Sequence, residues 1–189
     1  MLCVVGRVKT PYHIETERLG LRLWRPTDSP LFAAMNSDPR VMAYFPRTLA
    51  REESLQFVER IEEHFRRHGF GLYAVDELAS GSYIGFIGVQ MATFEASFTP
   101  CLEIGWRLDH PYWGKGYATE GARACLRYGF RDLELKEVCS FTAEINLPSI
   151  AVMKKIGLRH RLNFLHPRVN PSDRLAPHVL YGIARAEEM

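Results

Sequence analysis

Between Leu102 and Leu126 the chain changes its periodicity within a few residues, and that change limits the folds open to it. Leu102, Ile104, Trp106 and Leu108 alternate with Glu103, Gly105 and Arg107, the period of two of a strand. The run Asp109 to Pro111 ends the strand, and Ala118, Ala122, Cys125 and Leu126 then carry the stripe of a helix. Between them Gly114 and Gly116 leave backbone amides uncovered by side chains. Free amides and the positive end of a helix dipole together favour an anion at such a turn. Any strand-to-helix connection needs small residues, so the turn does not name its ligand. No Gly-x-x-x-x-Gly-Lys-Ser/Thr occurs and no Gly-x-Gly-x-x-Gly follows a first strand, which disfavours a P-loop or Rossmann site.

A second punctuated segment follows. Val138, Ser140 and Thr142 alternate with Cys139 and Phe141 as a strand, and Asn146 to Leu158 then reads as a short helix. Asn146 is a good N-cap, Pro148 suits the first turn and Gly157 is a natural stop. Ile150, Met153 and Ile156 form its core-facing stripe.

The six-residue pattern Trp113 to Ala118, with Gly at its fourth position and Ala at its sixth, resembles the cofactor signature of the GNAT superfamily of acetyl-CoA-dependent N-acetyltransferases. The Asn146 to Leu158 segment resembles the superfamily's second signature, and the match extends from Thr16 to Ile183. The opening Glu-Thr-Glu-Arg-Leu-Gly-Leu-Arg-Leu-Trp is similar to the branch holding the ribosomal-protein N-terminal acetyltransferases. The resemblance implies an α+β (α/β/α) fold: a mixed, mostly antiparallel twisted sheet of about seven strands with helices on both faces, splayed between strands 101–108 and 137–143. It implies that Ile104, Trp106 and Leu108 receive pantetheine through backbone groups, one of which holds the developing oxyanion. Gly114, Lys115, Gly116, Tyr117, Ala118 and Thr119 would cradle the pyrophosphate, with Asn146 and Ser149 closing over the CoA arm. Two positions depart from the family pattern. Trp113 stands where Arg or Gln is commoner, and Met153 occupies the place of a tyrosine that protonates the leaving thiolate in many members. Ser149 is the expected substitute acid.

The attacking amine must be neutral, so a base is needed, directly or through water. Glu103 is one candidate, with His64, His68, His110 and Glu144 as rivals. The expected reaction is transfer of acetyl from acetyl-CoA directly to a protein or peptide α-amine or a small-molecule amine. The alternative is a non-catalytic acyl-CoA-binding sensor or interaction module. Met42 to Arg47, with two aromatics and a proline, could line the acceptor groove, and the proline-broken loop His166 to Pro177 could act as a lid.

Composition fits one enzyme domain spanning residues 1–189 with its core at 16–184: the 189 residues are 47% hydrophobic and 24% charged, enough for a single large core. A net charge of +2 with scattered Lys and Arg argues against nucleic acid or membrane partners. Cys3, Cys101, Cys125 and Cys139 lack Cys-x-x-Cys spacing, and the last three sit in apolar patterns, as in a reduced cytoplasmic protein. No ligand cluster requires a metal. Met1 to Gly6 is too short for a signal peptide, and no run approaches a membrane span. A monomer and a homodimer are both open. Other expected elements are a strand at Arg18–Trp24 with Leu19, Leu21 and Leu23 inward, helices at Asp28–Asn36 and Glu52–Arg67, a hairpin of Phe70–Val75 and Tyr83–Met91, and closing strands at Arg159–Leu165 and His178–Ile183.

Overall fold

The computed structural model describes residues 11–187; Cys3 and the Met1 to Gly6 segment lie outside them. Eight strands form one sheet: β1 Ile14–Glu15, β2 Leu19–Arg22, β3 Leu72–Glu77, β4 Ser82–Ala92, β5 Cys101–Leu108, β6 Glu137–Ala143, β7 Arg159–Leu165 and β8 Pro177–Ala184, in the order β1-β2-β3-β4-β5-β6-β8-β7. Every neighbouring pair is antiparallel except β5 with β6. Four helices, α1 Asp28–Ser37, α2 Arg51–His68, α3 Tyr117–Arg131 and α4 Leu147–Lys155, cover the two faces. The eighth strand, beyond the seven expected, is the two-residue β1, too short for a periodicity to reveal.

Alternation along the central strands divides the core. Ile87, Val89 and Ile104 face α3 and α4, with Cys125, Phe130 and Met153 among their neighbours. Phe86 faces the other way, with Phe32 and Met35 of α1 and Val58 and Ile61 of α2. Gly121 lets α3 come close: a Cβ there would fall 2.4 Å from Ile87 Cδ1. The stripe of α2 buries Ser54, Val58 and Ile61, while Leu55 stays exposed.

The first strand ends at Arg22 rather than Trp24, and Leu23 is exposed instead of inward. The reason is that pairing with β3 stops at Arg22, opposite Ala74, so Leu23 lies beyond the sheet; Arg22 itself occupies the interior. Its guanidinium forks onto both Asp28 oxygens at 2.6 and 2.9 Å and both Asp76 oxygens at 2.7 Å. These bonds raise its pKa above the arginine value despite burial. Removing Arg22 would strand two buried carboxylates, at a cost of about 3–5 kcal/mol.

Candidate functional site

β5 and β6 run side by side and then part. Glu103 opposite Cys139 is the single pairing between them, whereas β5 pairs with β4 along its whole length. The Asp109 N–H bonds to Ile84 O at 2.9 Å, which fixes the alternation: the N–H and C=O groups of Ile104, Trp106 and Leu108 point away from β4, toward the gap. The Leu108 carbonyl is already taken, accepting the Trp113 indole N–H at 2.7 Å. Leu108 therefore offers the gap only its N–H. Ile104 and Leu108 bury their side chains, and Trp106 packs half-buried against the same core.

The turn after β5 is built as the glycines suggest. Gly114 has φ +74° and Gly116 φ +83°, a left-handed region that side chains with a Cβ rarely enter. Gly116 caps α3 without any side-chain bond, and the first helical bond runs from Glu120 N–H to Gly116 O. Among the described residues, the amides from Gly114 to Thr119 have no partner in the chain. Arg18 braces this turn: Nη1 donates to Lys115 O at 3.0 Å, Nε donates to Glu120 at 2.7 Å, and the guanidinium lies 4.7 Å from the Tyr117 ring centre. The Tyr117 hydroxyl donates to Glu77, and Lys115 Nζ sits 5.1 Å from the Tyr112 ring centre. Beside the turn opens a cavity of about 530 Å³, lined by Arg18, Thr119, Arg123, Arg127 and Lys155 among others. Unpaired amides next to basic side chains can hold a polyanion. Arg18 and Lys155 join this wall from opposite ends of the sequence, so no local motif announces them. The spacing of Thr119, Arg123 and Arg127 four apart on α3 is a signal that could have done so.

On the far side of the gap α4 begins. Asn146 accepts from the Ser149 N–H at 3.3 Å and donates to Thr142 Oγ1 at 2.9 Å, so both ends of its amide are engaged in capping the helix and tying it to β6. That is a positioning arrangement, and it leaves the amide one further N–H and one further lone pair for a ligand. Ser149 is half-buried and its hydroxyl makes no hydrogen bond among the described residues, unlike the backbone-bonded serine common in a first helical turn. Met153 is in the core, 1% exposed.

The opposite face of β5 carries Glu103, Gly105 and Arg107 in a row beneath α1 and α2. Glu103 accepts from Gln90 Nε2 at 3.1 Å and among the described residues has no cation paired with it; burial pushes its carboxyl up to about 7. Above Gly105 the space is open: a Cβ built there would meet only Glu103 Oε1, at 3.8 Å. His64 is occupied on both nitrogens, Nδ1–H donating to Phe70 O at 2.8 Å and Nε2 accepting from Met91 N–H at 3.0 Å, and burial lowers its pKa. It is a structural histidine, with the His68 ring tilted against it, centroids 4.4 Å apart. His110 lies in a short turn against Trp113, and Glu144 is exposed. Of the five base candidates, Glu103 alone stands at the point where the strands part.

The two segments expected near an acceptor meet: Arg174 Nη2 donates to Ala43 O at 3.4 Å. Phe94, Phe141, Phe164, His166 and His178 form an aromatic cluster on the same face of the sheet as Glu103, a wall that the sequence reading missed because its members come from four separate segments. Cys101 and Cys139 face each other across the gap with sulfurs 2.9 Å apart; Cys101, Cys125 and Cys139 are free, though Cys101 is only half-buried. Among the described residues no group of three His, Cys, Asp or Glu side chains is arranged to hold a metal, and no helix is long and apolar enough to cross a membrane.

The model of the acetyltransferase (GNAT) domain family matches residues 18–159. The uncharacterized N-acetyltransferase YnaD of Bacillus subtilis is 33% identical over 147 residues, 78% of this chain and 82% of that protein. The FsC-acetyl coenzyme A-N(2)-transacetylase of Aspergillus fumigatus is 34% identical over 161 residues, 81% of this chain and 68% of that protein. Among solved structures, a GNAT-family acetyltransferase from Bacillus anthracis superimposes with a TM-score of 0.74 at 27% identity, covering 92% of this chain and 98% of that one. The ribosomal-protein-S5-alanine acetyltransferase of Vibrio fischeri shares the fold, with a TM-score of 0.73 at 16% identity over 93% of this chain and 97% of that one.

Proposed function

This chain belongs to the GNAT acetyltransferase family, and from that premise we propose how its residues divide the work of an acetyl-CoA-dependent N-acetyltransferase. Acetyl-CoA, when bound, supplies the acetyl group already activated as a thioester. The free amides from Gly114 to Thr119 would hold the pyrophosphate, with Lys115 adding charge, and the basic wall of Arg123, Arg127 and Lys155 would meet the remaining phosphate. The edge of β5 beyond its one pairing with β6, at the Ile104 C=O, Trp106 and the N–H of Leu108, would receive the pantetheine amides as an added strand. Glu103 takes the proton from the acceptor amine. Ser149, held by the Asn146 cap, gives a proton to the leaving sulfur.

The observation that carries this reading is Glu103 at the fork: a carboxylate without a cation, facing open space, with an affinity for protons matched to neutral pH. A non-catalytic acyl-CoA sensor would have no use for such a base. The acceptor is a primary amine, either a protein or peptide α-amine or a small molecule; the Aspergillus relative, named for transfer at N(2), supports an amine. Three free thiols accord with a cytoplasmic setting, and the protein would act as a monomer or a homodimer without nucleic acid or membrane.

The test is calorimetric titration with acetyl-CoA, CoA, ATP and NAD in parallel, followed by thiol release in the presence of amines. Micromolar binding of acetyl-CoA and CoA alone, with amine-dependent thiol release, is expected. No CoA binding would remove the assigned cofactor site, and binding without thiol release would favour the sensor.

A further inference from the structure

Arg107 is a cation that the catalytic scheme does not use. It lies on the same face of β5 as Glu103, four residues on, with only Gly105 between them on that face. Among the described residues no carboxylate pairs with it. Nη1 donates to Asn36 Oδ1 at 2.6 Å, and Asn36 is itself oriented by donating to Ser54 Oγ at 3.1 Å. Phe45, from the segment between α1 and α2, covers the guanidinium at 4.2 Å from its ring centre, with Phe86 at 5.5 Å beneath. Among the described residues Nε is buried without any acceptor, and Nη2 has no partner yet is not sealed off. The Tyr83 phenol, near enough to feel this charge, is also buried without a partner. A desolvated guanidinium held rigidly on one side and unpaired on the other is short of one anion.

We propose that Arg107 recognises the acceptor's anionic group, so that the acceptor is an amine bearing a carboxylate several bonds from its nitrogen. This rests on the transferase reading and deepens it. The amine sits at Glu103, the open floor of Gly105 lies under the linking chain, and the carboxylate reaches Arg107 beneath Phe45. Four residues along a strand separate the two Cα atoms by about 13 Å, a distance shortened by both side chains, so the match is to an ω-amino acid or a short peptide rather than to a polyamine. A second cation would meet Arg107 and be repelled.

The test uses thiol release with saturating acetyl-CoA and matched acceptors, 6-aminohexanoate against n-hexylamine and spermidine. The wild-type protein is expected to favour the amino acid at least ten-fold in kcat/KM. Arg107→Gln should lose that preference through a raised KM for 6-aminohexanoate, leaving n-hexylamine within two-fold, and Arg107→Lys should restore part of it. Hexanoate, which cannot be acetylated, should compete with the amine in the wild type and not in Arg107→Gln. A wild-type preference for n-hexylamine or spermidine overturns the proposal without any variant, as does an equal loss for all amines in Arg107→Gln, the mark of a brace for α1 and α2. Acetyl-CoA binding with no thiol release from any amine is a separate result: it removes the transferase reading itself.

Discussion

Arg18 and Glu120, 102 residues apart in sequence, form a two-pronged ion pair that closes over the glycine turn, with the Arg18 Nη1 continuing to the Lys115 carbonyl. The loop whose amides face outward is thus held from behind by β1–β2 residues. Because Arg18 is 44% exposed, the pair contributes little to global stability. Its effect is on the shape of the turn. Arg18→Ala is expected to weaken acetyl-CoA binding about ten-fold while changing the melting temperature by only a few degrees, as calorimetry and thermal denaturation would show. A large loss of stability with unchanged affinity would contradict this account.

Gly116→Val places a β-branched residue at φ +83°, a conformation it can hold only with strain of about 1–3 kcal/mol. Space is not the obstacle, since the nearest atom to a Cβ there is Arg18 Nη2 at 3.5 Å. The expected outcome is a folded protein, judged by circular dichroism, that no longer binds acetyl-CoA. Wild-type affinity in this variant would remove the turn from the cofactor site.

Glu103 sets the pH dependence. With its carboxyl near 7, kcat/KM should fall as pH drops through neutrality, and Glu103→Gln should lose that limb along with about a hundred-fold in rate. Stability runs the opposite way. A carboxyl whose pKa rises on folding makes the folded state bind more protons between about 4.5 and 7, so this group's contribution is lost as pH rises through that window. Glu103→Gln should therefore gain on the order of 1–3 kcal/mol relative to wild type at pH 8 and almost nothing at pH 4, measurable by urea unfolding at the two pH values.

Ser149→Ala should lower turnover about ten- to a hundred-fold with unchanged acetyl-CoA affinity, because a thiolate leaves fairly well without help. Met153, sealed in the core, offers no exchangeable proton to compensate. A steady-state assay giving the wild-type turnover number would take Ser149 out of the mechanism.

The stretch from Cys101 to Lys155 is legible in sequence because its information is local: alternation gives β5 and β6, glycines and an asparagine cap give the helix starts, and a family resemblance gives their joint meaning. Glu103 could be named from its strand, but not chosen over four rivals, because the choice depends on where two strands, 36 residues apart at their one pairing, cease to pair. His64 shows the same limit, since its two partners, Phe70 O and Met91 N, are invisible to any periodicity. The failure at Leu23 is of another kind. A period-two pattern assumes that the polar partners face out, but β2 is buried on both faces, Arg22 taking two aspartates inside with it, and the strand stops pairing before Leu23. Arg107 hides for a related reason: in sequence it is one more charge on the polar side of a strand, and only α1, α2 and Phe45 make that side an interior.

β6 meets β5 at one residue pair but meets β8 at seven, from Glu137–Ala184 to Ala143–His178. During synthesis the ribosome makes one wall of the gap by Leu108 and the other by Ala143, yet the second wall has no full partner until Pro177–Ala184 has left the exit tunnel. The gap between the strands is consequently among the last features of the molecule to take shape, and a nascent chain stopped before the final strand would carry its whole glycine turn without the opposite wall to close a site.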